Sequence, residues 1–275
     1  MNDTTTATPL FHFHAGTAPL LVSMPHVGTH VPPAIARQLT EEARQVPDTD
    51  WHLERLYAFA RGLGASVLAA THSRYVVDLN RPPDGSSLYP GQSVTGLCPV
   101  DTFDDTPLYA DPAQVPDAAE TEARRRAYWD PYHAQLRTEL DRIRSTHGVA
   151  VLWDAHSIRS VLPRFFDGRL PDFNLGTADG ASCDPALARE LLAIGMVVPG
   201  HSAVLNGRFK GGYITRHYGD PSRNVHAVQL EMAQASYMQE ALPFDYLPEI
   251  AMNVQPHLRR MLEACLAFAK ERATA

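Results

Sequence analysis

Residues 149–157 read Val149-Ala150-Val151-Leu152-Trp153-Asp154-Ala155-His156-Ser157. Five consecutive apolar residues that end in a polar segment are the pattern of a strand buried on both faces, as in the centre of a parallel sheet. Gly148 lies just before this run and closes a long helical pattern, Ala118 to Thr146, in the manner of a glycine one step past a helix end. Working outward, Pro19 to Met24 (PLLVSM) is a second short apolar run, ended by Pro25, that delivers His26 to a loop. Ser66 to Ala70, Tyr75 to Leu79 and Val225 to Met232 also read as strands. Trp51 to Leu63, Asp184 to Ala193 and Leu247 to Arg272 carry helical spacing, with Asp50 placed to cap the first of them. This alternation predicts one α/β domain over residues 1–275, a mostly parallel, mixed sheet with helices on both faces. The first ten residues are expected to be flexible. Ligands of such sheets bind outside the carboxyl ends of the strands, and His26, Asn80-Arg81 and His156 all follow predicted strands.

Composition narrows the function. Apolar residues make up 44% of the 275 positions and charged residues 20%, the balance of an ordinary globular protein. Lys and Arg total 24 against 31 Asp and Glu, a formal charge of −7 that opposes attraction to nucleic acid or to an anionic membrane surface. Cys98, Cys183 and Cys265 are far apart and form no CxxC pair, which speaks against a disulfide framework or a thiolate metal site and fits a reducing cytoplasm. Met1 to Pro9 lacks a basic start and an apolar core, and no run approaches the length of a membrane span. An anionic small substrate would depend on local arginines.

The chemistry resides in a few positions. A catalytic zinc takes three ligands from His, Asp or Glu and leaves one place for water. His26, Asp50 and His156 can supply that set, although Asp48 in the segment Pro47-Asp48-Thr49-Asp50-Trp51 competes with Asp50, and helix capping explains either aspartate equally simply. Asp154, two residues before His156, suits a group that orients a ligand, or else a turn at the strand end. Glu231 lies inside the apolar strand pattern Val228-Gln229-Leu230-Glu231-Met232, where an unpaired charge costs several kcal/mol. It serves as a general base or pairs with a buried arginine. Arg74, Arg81 and Arg216 are candidates for a carboxylate pocket, because a guanidinium binds a carboxylate through two parallel hydrogen bonds. Gly211-Gly212 lets backbone approach a ligand, with Tyr213 beside it as a hydrogen-bonding group, unless the pair is a plain hairpin turn. The Pro-, Gly-, Asp- and Thr-rich stretch from Asn80 to about Pro116 is long enough to be a lid or binding loop.

Six stretches taken together, SMPHVGTHVP (23–32), DTDWHLERLYAFA (48–60), SRYVVDLNRPP (73–83), LWDAHSIRS (152–160), GRFKGGYITRHYG (207–219) and VQLEMAQASYM (228–238), resemble the N-formylglutamate amidohydrolase (N-formylglutamate deformylase) family in a matching order. That resemblance implies a zinc-carboxypeptidase-like fold, one divalent metal ion, zinc, and cleavage of N-formyl-L-glutamate to formate and L-glutamate in histidine degradation. It further implies His26, Asp50 and His156 as ligands, Glu231 as base, Arg74 at the oxyanion, and Asn80, Arg81, Arg216 and Tyr213 around the substrate carboxylates. Hydrolases of other N-acyl or N-formimino amino acids would share these motifs. Two histidines and a carboxylate also form the facial triad of non-haem iron oxygenases, a rival from another class that gives Glu231 no role.

Overall fold

The run that opens with Val149 becomes β4 (Ala150–Ile158), buried along its whole length, and it pairs in parallel with β2 (Leu20–Met24) on one side and β7 (Val225–Ala233) on the other. The computed structural model describes residues 8–88, 91 and 93–273. Outside these three strands lie β3 (Ser66–Ala70), parallel to β2, and β1 (Phe11–His14), antiparallel to β3 at one edge. At the other edge β5 (Phe173–Gly176) runs antiparallel to β7 and parallel to β6 (Ala203–Leu205). The result is a seven-stranded mixed sheet in the order β1-β3-β2-β4-β7-β5-β6.

The two-residue alternation of strands sorts the core. Leu20, Val22, Met24, Val151, Trp153, Val228 and Leu230 pack with α5 (Pro185–Met196) and α7 (Pro248–Ala273). Leu21, Leu68, Ala150, Leu152 and Ala227 pack on the opposite face with α4 (Asp130–His147) and α6 (Tyr213–Tyr218). Helices therefore cover both faces, as the alternating pattern predicts. Residues 154 and 156 continue the α4 face of β4, and 229 and 231 continue the same face of β7. Apolar residues hold that face at the strand beginnings, and polar ones occupy it at the strand ends.

Several local expectations change. Tyr75 to Leu79 is no strand: Ser73 Oγ accepts from the Tyr75 amide (3.2 Å), the Val76 amide donates to the Ser73 carbonyl (2.9 Å), and the run is a buried turn. Its apolar side chains are drawn into two separate clusters, which produces a strand-like composition without a strand partner. The helix read over 51–63 is one turn, α2 (Leu53–Leu56), followed by 3-10 geometry, and it is preceded by His52 in the left-handed region (φ 62°). Asp50 does not cap it. The helix read from Ala118 begins as α3 (Ala118–Arg124), capped by Asp117, and passes through one π turn (Arg125–Trp129) into α4, which Gly148 (φ 75°) ends as expected. Short α1 (Pro33–Ala36) and strands β1, β5 and β6 had no counterpart in the reading, and Gly211-Gly212 leads into α6 in place of a hairpin. Residues 1–7, on which most of the expected flexible segment falls, lie outside the described residues.

Trp153 is fully buried between the sheet and α7, and its Nε1 donates to Tyr57 Oη (3.1 Å). Trp153→Ala is expected to cost about 3–5 kcal/mol, the usual penalty for removing a large core aromatic. Urea unfolding measures it; a loss below 1 kcal/mol would show that this layer is not the structural centre.

Candidate metal centre and active site

β2 ends at Met24 and β4 extends through His156, so the parallel pairing of these strands brings His26 and His156 to one end of the sheet. Their ring centroids are 4.9 Å apart. The Asp50 amide donates to the His26 carbonyl (2.9 Å), which turns the Asp50 side chain toward both rings. Asp50 Oδ2 lies 3.0 Å from His156 Nδ1 and 3.8 Å from His26 Nδ1, and it also accepts from the Ser157 amide (3.3 Å). One donor atom from each of His26, Asp50 and His156 lies within 4.8 Å of the others, and all three residues are buried. This group can hold a metal ion.

The outer nitrogens of the two rings explain why they face inward. His26 Nε2 donates to Asp78 Oδ1 (2.8 Å), and His156 Nε2 stands 3.1 Å from Asp154 Oδ2. Each imidazole thus turns Nδ1 to the shared centre and Nε2 to a carboxylate, the arrangement that fixes ring orientation and raises the basicity of a metal-binding histidine. Asp78 was missed in the sequence because the strand reading of 75–79 gave its side chain no destination. Asp48, the competitor of Asp50, is committed elsewhere: its Oδ2 accepts from Tyr75 Oη (2.6 Å) and from the Phe103 amide (2.8 Å). It ties two loops together.

Charge balance tests the fit of a cation. Asp50, Asp78, Asp154 and Glu231 are all buried here, and Arg74 is the buried cation among them. Arg74 Nη2 reaches Asp50 Oδ1 (3.4 Å) and hydrogen-bonds His26 Nδ1. Burial lowers the His26 pKa to about 4, helped by Arg74, so its Nδ1 lone pair is available at neutral pH. For His156 burial also lowers the pKa, but Asp154 and Asp50 outweigh it and hold the imidazolium well above its ordinary range. Burial opposes ionisation of Asp50 and Asp78 as well, yet Arg74 and His156 at the first, and His26 and Arg81 at the second, keep both carboxyls below the usual value. Two ring nitrogens, one carboxylate and an excess of buried negative charge suit a divalent cation.

Glu231 stands directly across from His156 in the β4–β7 register. Gln229 Nε2 donates to Glu231 Oε2 (3.2 Å). Burial pushes the Glu231 carboxyl up to about 8, with Asp50 and Asp154 acting in the same direction and His156 and Arg74 against it. A carboxyl tuned near neutrality beside a metal-competent group is a proton acceptor in position. Both Glu231 and His156 line a cleft enclosing about 580 Å³, walled also by Arg74, Arg81, Phe103 and Arg208. That volume is ordinary for a small-molecule site.

The predicted substrate residues divide. Arg81 lines the cleft, with Nε donating to the Thr95 carbonyl (3.0 Å) and Nη2 to Thr95 Oγ1 (3.0 Å). Asn80 is a positioning residue: Oδ1 accepts from the Ile214 amide (2.8 Å), while Nδ2 sits 2.9 Å from His156 Nε2 and 3.3 Å from Asp154 Oδ2. Gly212 is needed for this contact, since a Cβ there would lie 2.4 Å from Asn80 Nδ2. Arg216 and Tyr213 are not in the cleft wall. Arg216 Nε folds back on the Gly211 carbonyl (2.8 Å), and Tyr213 stacks on His217 with ring centroids 4.7 Å apart, because α6 directs these side chains away. The long loop after Asn80 contributes Ser93, Val94 and Phe103 to the wall, as a binding loop should. Arg208 and Gln229 were overlooked, although both lie in motifs already singled out.

Fold and site together define an α/β protein with a metal-competent His-Asp-His group and a carboxylate poised beside it. Residues 18–238 match the model of the N-formylglutamate amidohydrolase family. Over 260 residues the chain is 54% identical to the N-formylglutamate deformylase of Pseudomonas putida, covering 94% of this chain and 97% of that one, and 55% identical with the same coverage to that of Pseudomonas aeruginosa. The chain belongs to the N-formylglutamate amidohydrolase family. Its fold matches the crystal structure of N-formylglutamate amidohydrolase from Ralstonia eutropha JMP134 with a TM-score of 0.80 at 23% identity, over 95% of this chain and 99% of that one. A gene product of Agrobacterium tumefaciens matches with a TM-score of 0.69 at 18% identity, over 94% and 96%.

Asp78→Asn and Asp154→Asn should each weaken zinc binding by about 10–100-fold, the usual effect of losing the carboxylate behind a ligating histidine. Competition with a chromophoric chelator reads this out, with Asp48→Asn as a control that leaves affinity unchanged. Equal affinities in all three variants would contradict the ligand assignment.

Proposed function

We propose that this chain is a metal-dependent deformylase that hydrolyses N-formyl-L-glutamate to formate and L-glutamate. The observation that carries the reading is Glu231 facing His156 across the β4–β7 pair, in the same cleft as the His26-Asp50-His156 group and Arg81. Family membership over most of the chain and the names of the Pseudomonas relatives support the substrate. We further propose that His26, Asp50 and His156 hold one zinc ion, with the rest of residues 1–275 as a single catalytic domain of zinc-carboxypeptidase type. A bound divalent cation supplies Lewis acidity, polarising a carbonyl and bringing the pKa of water toward about 7.

The chain's own residues do the remaining work. Glu231 removes a proton from the attacking water and returns it to the departing amine nitrogen, so that formate and the free amino group leave together. Arg74, fixed by Asp50, faces the oxygen on which charge develops. Arg81 binds the carboxylate next to the scissile amide through its guanidinium, held in plane by Thr95. Asn80 and Asp154 hold the His156 ring. A base in this place serves hydrolysis and has no task in an iron oxygenase. The product pair suits the end of histidine degradation in the cytoplasm, and no helix among the described residues is long and apolar enough to cross a membrane.

Glu231→Gln keeps the shape of the side chain and removes its basicity. It should lower kcat by roughly 10²–10⁴, the usual contribution of a positioned base, while zinc stays bound. Steady-state formate release together with metal analysis of the same sample decides it: near-normal turnover would eliminate Glu231 as the base.

A further inference from the structure

Three guanidinium groups line the cleft, those of Arg74, Arg81 and Arg208. Arg74 is committed to Asp50 and His26. Arg81 follows Asn80, whose amide touches His156, and so belongs to the inner end of the cleft. Arg208 stands a layer further out. Its Nε donates to the Phe165 carbonyl (2.6 Å) and its Nη2 to the Ser93 carbonyl (3.3 Å). Phe165 meets the triad side only through Phe103: the two rings are edge-to-face at 5.1 Å, and Phe103 in turn lies 4.9 Å from the Arg74 guanidinium. Both carbonyls that brace Arg208 are neutral, so they orient its plane without cancelling its charge.

The proposed substrate carries two carboxylates, one on the carbon that bears the formylated nitrogen and one at the end of the side chain. A formyl carbon held at the His26-Asp50-His156 group places the first within reach of the inner cleft and the second farther out. We infer that Arg208 is the specificity-determining residue of this cleft, binding the side-chain carboxylate while Arg81 binds the other. Selection for an acidic N-formyl amino acid then comes from one cation on a braced loop. An isosteric amide in place of the carboxylate loses the charged partner and leaves Arg208 with an acceptor of half the capacity. This inference rests on the deformylase reading of the site.

The test compares kcat/KM for N-formyl-L-glutamate and N-formyl-L-glutamine in the zinc-loaded wild type and in Arg208→Met. The wild type should prefer the glutamate substrate by roughly 100-fold, the scale of one charge-assisted hydrogen-bonded pair. Arg208→Met should bring that ratio to within about threefold of unity by raising KM for the glutamate substrate, with its activity on the glutamine substrate nearly unchanged. Arg208→Lys, which keeps the charge and loses the planar fork, should give an intermediate ratio, and it serves equally if the methionine variant folds poorly. A preference that survives both substitutions, or an equal loss on both substrates, overturns the assignment of Arg208 alone. A wild type that releases formate from neither substrate overturns the deformylase reading and this inference with it.

Discussion

Buried negative charge is the constraint around which this protein is arranged. Asp50, Asp78, Asp154 and Glu231 are gathered at the ends of β2, β4 and β7, where an uncompensated carboxylate costs several kcal/mol. Every nearby feature answers that cost. Arg74 is buried against Asp50, the two imidazoles stand between Asp50 and an outer carboxylate, and Glu231 stays protonated to a higher pH than an ordinary glutamate. A cation at the centre completes the balance, so affinity for metal is a consequence of how the strands end and needs no separate design.

The same strands explain how a rigid sheet aims the site. Alternation puts Ala150 and Leu152 against α4, and two and four residues later it puts Asp154 and His156 on that face. The apolar half anchors the polar half. Around this frame the loops supply adaptable parts: the turn carrying Asp78, Asn80 and Arg81, and the outer segments carrying Ser93, Phe165 and Arg208. Gly212 lets the backbone before α6 close on Asn80, so the loop and sheet portions lock together.

Much of this was legible in the sequence. The runs at 20–24, 149–153 and 225–232 identify the three central strands because a strand buried on both faces tolerates little but apolar residues. The same logic marked Glu231 as an oddity. Edge strands β1, β5 and β6 escaped because their short segments lack a continuous apolar run, and β6 is only partly buried throughout. Tyr75–Leu79 misled in the opposite direction, being apolar for packing against loops and α4 instead of for sheet pairing. For the site, residue types at strand ends suggested His26 and His156, but the choice of Asp50 over Asp48 needed the Asp50 amide's bond to the His26 carbonyl and the Tyr75 hydroxyl's bond to Asp48. Tyr213 and Arg216 share a motif with Arg208, and only the winding of α6 shows which of them faces the cleft.

The central claim is that one cation at the His26-Asp50-His156 group drives amide hydrolysis. Stepwise return of zinc to chelator-stripped protein, with formate and glutamate measured at each step, tests it most directly. The account predicts negligible turnover without metal, equal release of both products, and a rise that levels off at one ion per chain. Full turnover in the stripped protein, or none after any divalent cation is restored, would contradict it.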